Sequence, residues 1–396
     1  MKILMVNKFL YPNGGSETYM FKLGEYLTSL GHQVEYFGME HPDRCVSNSA
    51  QCYTKNMDFH NSSPVEKILF SQKTIYSFEA RKKIRVVLET FKPDVVHLNN
   101  INFQLTPSII YEIKKHNIPI VQTVHDSQIA CPNHRLYIER EGKVCNACKN
   151  GCYLNCLKNK CLDNSAMKSL IATIESYYYH SRKTYDLVDC YICPSKFMAQ
   201  TISTGGIKEN KITVLHNYCQ KAVMPQNKKD YVIYFGRLSL EKGITTLIEV
   251  CKQLPQINFI FAGTGNLQSQ CEKIKNINAV GFKSGNELTK LIQEAKLSVC
   301  PSQGYENCSM SIIESLSLGT PVIASNMGGN PELIIPNKTG LVFEAGNVKQ
   351  LKNCVSDLYY SENLNEMSKN CVKFSTNNIE NYSQELIKIY NSLIKG

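Results

Sequence analysis

PSQGYENCSMSIIESLSLGTP, residues 301–321, is the stretch whose reading decides the fold. It opens as a loop with Pro301, Ser302 and Gly304, presents Glu306, and passes into an apolar-periodic segment carrying Glu314. Gly319 and Pro321 close it, the order expected at a helix end. Ser309 suits an N-cap, which predicts a helix from about Met310 to Leu318. Glu306 then precedes the helix and Glu314 lies within it. Were the whole interval helical, the two would stand roughly 12 Å apart, about the length of a sugar diphosphate. Between them lies a helix N-terminus, whose N–H groups and dipole attract phosphate. Such an arrangement can hold hydroxyls at both ends of an anionic ligand and the anion in the middle.

Upstream, the chain alternates strand and helix. Lys2 to Val6 reads as a strand and Tyr11 to Glu17 as a loop with Gly14-Gly15. Thr18 to Leu30 is an amphipathic helix ended by Gly31, and Gln33 to Gly38 is the next strand. This opening is a βαβ unit with a parallel sheet. Residues 40 to 75 are polar and irregular. Val65 to Phe91 reads as helix, Asp94 to Leu98 as strand, Pro107 to His116 as helix, Ile120 to Val124 as strand. Ser165 to Tyr185 is helical, Cys190 to Cys193 a strand, Lys196 to Thr204 a helix, Ile212 to Leu215 a last strand. Gln220 to Asp230, with Pro225, is a credible linker.

A second series follows. Strands are expected at Tyr231 to Phe235, Asn258 to Ala262, Ala279 to Phe282, Leu297 to Cys300, Pro321 to Ser325 and Gly340 to Phe343. Helices are expected at Gly243 to Leu254, Gln268 to Lys275, Asn286 to Ala295, Val348 to Tyr360 and Ile379 to Lys395. The fold class is therefore α/β: two doubly wound, Rossmann-like domains facing a cleft, with ligand at the carboxyl ends of the strands. The first domain spans 1–220 with a Cys-rich insertion at 131–161, and the second spans 231–378.

A length of 396 residues fits two domains better than one core. No run of eighteen apolar residues exists, so no transmembrane helix is expected. The formal charge of +10 suits an anionic partner: a nucleotide sugar, a lipid phosphate or an anionic membrane surface. No nucleic-acid motif is visible. Seventeen Cys and no export signal imply a reducing compartment and a cytoplasmic protein, peripheral at most to the inner face of the membrane. The segment Phe78 to Phe91 interleaves Arg81, Lys82, Lys83 and Arg85 with apolar residues, as a helix lying on an anionic surface would. An ordinary packed helix with a solvated basic face reads the same way.

Glu306 and Glu314 eight apart, preceded by PS and followed by GTPVIAS and GG-x-PE, resemble the retaining GT-B glycosyltransferases of family 4. The resemblance covers nearly the whole chain. It implies that Gly14 and Gly15 meet a donor diphosphate, as do Arg237 and Lys242 of the G-R-L and E-K-G motifs. Ser309 and Met310 would hold the diphosphate through their backbone. His125, in the position of T-x-H-D, would lie beside the transferred sugar. Gly265 and Phe282 would border the nucleotide, Glu314 would bind ribose hydroxyls, and Glu306 the sugar hydroxyls near the reacting carbon. It also implies that the helix 379–396 returns to the first domain. Tyr218 departs from the family, where Gly is common beside Asn217.

The resulting expectation is a retaining hexosyl- or N-acetylhexosaminyltransferase, its catalysis metal-independent. It would take a UDP- or GDP-sugar to a glycan or lipid-linked acceptor in surface polysaccharide or glycolipid synthesis. The chain has no Asp-x-Asp. A nucleotide-sugar epimerase on the same fold and a non-catalytic binding protein are the alternatives. An epimerase would turn over donor alone, and intact Glu306, Arg237 and Lys242 speak against lost catalysis.

Cys131, Cys145, Cys148, Cys152, Cys156 and Cys161 crowd the insertion, which has too few large apolar groups for a core. Cys145-x2-Cys148 is a zinc-knuckle spacing. Cys131 and Cys161 are chosen to complete a structural zinc site, as similar insertions in some relatives suggest, with Cys152 and Cys156 spare or replacing one of the four. An iron–sulfur cluster, disulfides or unliganded thiols remain open.

Overall fold

Buried β-branched and aromatic runs between amphipathic helices build two six-stranded sheets, every pairing within them parallel. The computed structural model describes residues 1–57, 73–219, 227–374 and 378–395. Two compact units result. The first holds Met1–Leu136, Cys145–Leu215 and the last helix from Tyr382 onward; the second holds Tyr137–Val144 and His216–Asn381.

In the first unit the strands are β1 (Lys2–Val6), β2 (Gln33–Phe37), β3 (Val95–Leu98) and β4 (Ile120–Thr123). A two-stranded hairpin, β5 (Tyr137–Ile138) with β6 (Lys143–Val144), counts with the second unit, and β7 (Cys190–Cys193) and β8 (Ile212–Val214) complete the first. The sheet order is β2-β1-β3-β4-β7-β8. β3, β4 and β7 are buried along their whole length, which is why they read as short unbroken apolar runs. The helix Ile379–Lys395 is tied to this unit by two hydrogen bonds between hydroxyl-bearing or ring groups: Tyr382 with Tyr19, and Tyr390 with His97.

The second unit runs β9 (Lys229–Phe235), β10 (Asn258–Ala262), β11 (Ile277–Gly281), β12 (Ala295–Cys300), β13 (Val322–Ser325) and β14 (Gly340–Phe343), in the order β11-β10-β9-β12-β13-β14. The order reverses between β9 and β12, and that switch point sets the site.

Several expected elements shift. The helix expected at Gln268 to Lys275 covers only Gln268–Cys271, and β11 begins at Ile277 instead of Ala279. Asn276 is the reason. Its side-chain amide donates to the carbonyls of Cys251, Leu254 and Ile257 at 3.0, 2.9 and 2.9 Å, pulling the chain out of helix and into the strand. The helix expected from Val65 to Phe91 is interrupted: residues 73–75 are helical, the helix breaks at Tyr76 and Ser77, and the helix Phe78–Phe91 begins afresh with the Ser77 hydroxyl accepting Ala80 N–H at 3.1 Å. The part of that expectation from Val65 to Gln72 lies outside the described residues, as does Gln220–Gln226 of the expected linker. Ser165 to Tyr185 divides into the helix Ala166–Ser181 and a 3-10 turn at Thr184–Leu187. A helix at Leu364–Phe374 was not expected at all.

Candidate active site

The loops after β9 and β12 meet at the switch point. The loop after β12 carries Glu306, whose carboxylate is 14% exposed and is held through one oxygen: Lys242 Nζ and Ser302 Oγ both donate to Oε1, each at 2.6 Å. Burial alone would pull the Lys242 ammonium toward neutrality, but the charge and hydrogen bond of Glu306 outweigh it, and its pKa is raised. Ser325 Oγ donates to the carbonyl of Ser302 at 2.7 Å, so β13 braces the same loop.

Backbone contacts fix this pairing. Gly243 has φ +72°, and a Cβ there would stand 1.8 Å from the carbonyl oxygen of Pro301. The N–H groups of Gln303 and Gly304 both donate to the Glu241 carbonyl at 2.8 Å. Lys242 and the Glu306 loop are thereby locked face to face. On the other side, Gly328 has φ +61° and its Cβ would lie 2.2 Å from the Glu306 carbonyl oxygen, to which Gly329 N–H donates at 2.7 Å. The E-K-G and GG-x-PE motifs therefore act on one residue. In the neighbouring loop a Cβ on Gly265 would stand 2.3 Å from the Leu238 carbonyl oxygen, so the turns after β9 and β10 stack closely.

Arg237 stands apart from this pair. Its side chain is 63% exposed and its guanidinium binds Glu241 at 2.7 Å. Phe282 is 75% exposed just past β11. The helix Met310–Ser317 starts as expected, but the Ser309 hydroxyl does not cap it. It turns to Ser311 Oγ at 2.9 Å and Cys300 Sγ at 3.5 Å instead, which leaves the first-turn N–H groups without a side-chain cap from Ser309. Met310 packs against the buried Cys219, Cys308 and Ile313. Glu314 is half-buried on this helix.

The first unit has its own polar cluster at the carboxyl ends of β1, β3 and β4. Gly14 precedes the helix Gly15–Ser29, and nothing lies within 4 Å of a Cβ on Gly15. Asn7 ties this turn down, donating to Glu17 Oε1 at 3.0 Å and accepting Asn100 N–H at 2.9 Å. His125 Nε2 donates to Asn99 Oδ1 at 2.9 Å, which fixes the tautomer because that oxygen can only accept. Burial pushes its pKa down to about 4 against the opposing pull of Asp126, so the ring is neutral near pH 7. Asp126 in turn accepts from Asn102 Nδ2 at 2.5 Å and Gln128 N–H at 2.9 Å. His97, at the end of β3, is bonded to Tyr390 and Thr123 and serves the core.

Residues 220–378 match the family described as glycosyl transferases group 1, and residues 13–150 match glycosyltransferase family 4. A 42.6 kDa protein in the cps region of Klebsiella pneumoniae is 24% identical over 361 residues, 85% of this chain and 89% of its own. Sucrose-phosphate synthase of Thermosynechococcus elongatus superposes with a TM-score of 0.70 at 17% identity, over 100% of this chain and 99% of its own. HepE of Anabaena in complex with UDP-glucose gives 0.65 at 15% identity, over 99% and 100%. The chain is a glycosyltransferase of the GT-B fold.

In this glycosyltransferase the cysteines of the insertion gather, with Cys131, Cys145, Cys148 and Cys161 near enough to act on one another's charge. Cys148 and Cys156 are buried with Tyr153, and Cys161 packs against them. Burial, with the nearby Cys161 and Cys145, lifts the Cys131 thiol to about 11. Burial, with the nearby Cys131, Cys161 and Cys145, lifts Cys148 to about 12. Cys156, expected to be spare or to replace one of the four, lies in the same cluster: its hydrogen bond with Cys161, and then burial, raise it further. Cys152 is exposed. Among the described residues, no group of three or more His, Cys, Asp or Glu side chains is arranged to hold a metal ion.

Two residues that hold candidate site side chains, Ser302 on Glu306 and Asn99 on His125, escaped the sequence. Ser302 was read only as a turn former, and Asn99 was not singled out. The HLNN run that closes β3 was the available signal for Asn99, since an amide at a strand's carboxyl end faces the ligand side of such a sheet.

Proposed function

We propose that this glycosyltransferase moves a sugar from a nucleoside-diphosphate sugar, with retention of configuration, to a glycan or lipid-linked acceptor in polysaccharide synthesis. The observation that carries the reading is the part-buried Lys242–Glu306 pair at the switch point, one turn of chain before a helix N-terminus. HepE was solved with UDP-glucose, and the Klebsiella relative lies in a cps region; both favour this substrate class.

In this reading Lys242, Arg237 and the N–H groups of the helix Met310–Ser317 neutralise the leaving diphosphate. Glu306 orders the transferred sugar and Glu314 the ribose. Gly14 and Gly15 are assigned to the diphosphate and neutral His125 to the sugar. The bond between the anomeric carbon and the diphosphate oxygen breaks while the acceptor oxygen bonds that carbon on the same face. The acceptor proton passes to the departing phosphate oxygen, so no protein nucleophile is used. The test is a pair of variants assayed for donor consumption. Glu306→Gln is expected to cut kcat about 10²–10³-fold, and Glu314→Gln to raise the donor KM with little change in kcat. Equal, modest effects of both on both constants would defeat the division of roles.

We also propose that one zinc ion staples the insertion by drawing into a ligand set four of the thiols of Cys131, Cys145, Cys148, Cys156 and Cys161, which are clustered but not yet arranged around a metal. Their softness suits zinc, and binding would deprotonate thiols that burial now keeps protonated. Metal analysis of chain purified without chelator is expected to give about one zinc per chain. Metal-free protein with the same melting temperature would end the idea.

A further inference from the structure

The helix Ala166–Ser181 is built inside out. Its buried side carries Ser169, Ala172, Thr173, Glu175, Ser176 and Tyr179. Its outer side carries Met167, Leu170, Ile174 and Tyr177, which are 66%, 37%, 45% and 40% exposed. The four recur at i, i+3, i+7 and i+10, a single stripe along the helix. On the surface of a water-soluble domain the polar side ordinarily faces out. The inward polar groups are engaged: Ser169 Oγ accepts Leu162 N–H at 3.1 Å, Thr173 Oγ1 donates to the Ser169 carbonyl at 2.7 Å, and Glu175 accepts from Gln128 at 3.4 Å. Turning the helix over would break the bonds to Leu162 and Gln128, which lie outside it, so the apolar stripe is a fixed outer surface.

The cysteine insertion widens it. Tyr153 meets Tyr177 edge-on at 5.1 Å between ring centres, and the adjacent Leu154 is 53% exposed. Exposed cations flank the patch: Lys158 and Lys160 from the insertion, Lys168 on the helix, Arg182 and Lys183 at its end. Exposed acids in the same segments are Asp163, which Lys168 pairs at 2.6 Å, and Asp186.

The basic helix Phe78–Phe91, expected from sequence to meet a membrane, is a weaker candidate. Arg81 and Arg85 both bind the buried Glu112, at 2.8 and 2.6 Å, and Lys83 pairs with Glu79 at 3.4 Å. Those cations are committed inside the unit.

We propose that Met167, Leu170, Ile174, Tyr177 and Leu154 enter the headgroup layer of an anionic bilayer, with the basic rim on lipid phosphates. Apolar side chains ringed by lysine fit that surface on both counts. A second copy of this chain fits less well. It would bring the same cations against one another on a protein of net charge +10. Five side chains also fall short of the roughly 800 Å² per partner that a stable dimer buries. No helix among the described residues is long and apolar enough to cross the membrane, so the attachment is to one face.

The experiment is co-sedimentation of the full chain with phosphatidylcholine vesicles, with and without phosphatidylglycerol, at low and high salt. Vesicles containing phosphatidylglycerol should bind at least about tenfold more tightly, and salt should weaken the binding. The double variant Leu170→Gln, Ile174→Gln should lose about tenfold in affinity with an unchanged melting temperature. Lys158→Glu with Lys160→Glu should lose the preference for anionic vesicles while keeping the apolar stripe. The proposal is overturned if wild type shows no anionic preference, or if the stripe variant binds as wild type does. It is equally overturned if sedimentation shows a dimer that the stripe variant dissociates and no vesicle binding. None of these results touches the donor chemistry, which is assayed in solution.

Discussion

Arg237 and Lys242 carry the same charge two and seven positions after β9, yet their surroundings give them different work. Lys242 is held against a carboxylate that is 14% exposed, and removing it would leave Glu306 with a charge and only Ser302 to satisfy it. Lys242→Ala is therefore expected to cost about 2–4 kcal/mol of stability and about 10²–10³-fold in turnover. Arg237 is mostly solvated and bound to Glu241, so Arg237→Ala should leave stability within about 1 kcal/mol and change turnover less than Lys242→Ala does. Urea melts and steady-state rates on the two variants check this ordering; a larger rate loss in Arg237→Ala would reverse the assignment. Glu306 and Lys242 were legible because motif order and spacing mark them. Their contact was not, since 64 residues separate them and only the meeting of two loops joins them. The part Ser302 plays was not legible for a related reason: spacing along the chain says nothing about which hydroxyl a fold turns toward a carboxylate.

At the scale of elements, the site depends on loops that no side chain could hold as closely. Gly243 combines a left-handed backbone with a carbonyl oxygen 1.8 Å from where a Cβ would be. Gly243→Ala should cost about 2–4 kcal/mol, because the loop after β12 must move to admit the methyl group. That movement carries the Glu306 loop away from Lys242, so turnover should fall by a factor comparable to Lys242→Ala. Thermal melting with a rate measurement decides it: an unperturbed melting temperature would show that the loops have slack. Cys190–Cys193, buried at every position, and Asn258–Ala262, buried except for exposed Asn258 and half-buried Ile260, were read to the residue, because short apolar runs between turn formers leave little choice. The helix Leu364–Phe374 was equally available in Leu364, Met367 and Cys371, all buried at i, i+3 and i+7, but polar neighbours masked the pattern. The early end of the helix at Cys271 was not available, since Asn276 acts through carbonyls that only the folded chain brings near.

At the scale of the whole molecule, alternation of strand and helix told of two sheets but not of their strand order, and periodicity could not place the last helix. Tyr382 and Tyr390 fix that helix through Tyr19 and His97, partners 363 and 293 residues away. The same burial of polar groups gives the first unit a pH signature. Burial lowers His97 to about 3 and His125 and His134 to about 4, from an ordinary 6.5. A base with a lowered folded pKa contributes stability above 6.5 that is lost as the pH falls toward 4. Glu175 acts at the other end. Burial raises it from 4.5 to about 8, so the folded chain keeps a proton that the unfolded chain releases. Its contribution is fully present below 4.5 and is lost as the pH rises through 8. Between 4.5 and 6.5 the three imidazoles outnumber the one carboxyl and stability should rise with pH; from 6.5 to 8 Glu175 acts alone among these four and stability should decline. Glu175→Gln isolates the second limb. Relative to wild type, the variant should gain stability progressively from pH 4.5 to 8, by up to a few kcal/mol, since each tenfold change in proton affinity is worth about 1.4 kcal/mol. Denaturant melts of both proteins at a series of pH values measure the difference directly, and a difference independent of pH would show that Glu175 is ionised within the fold.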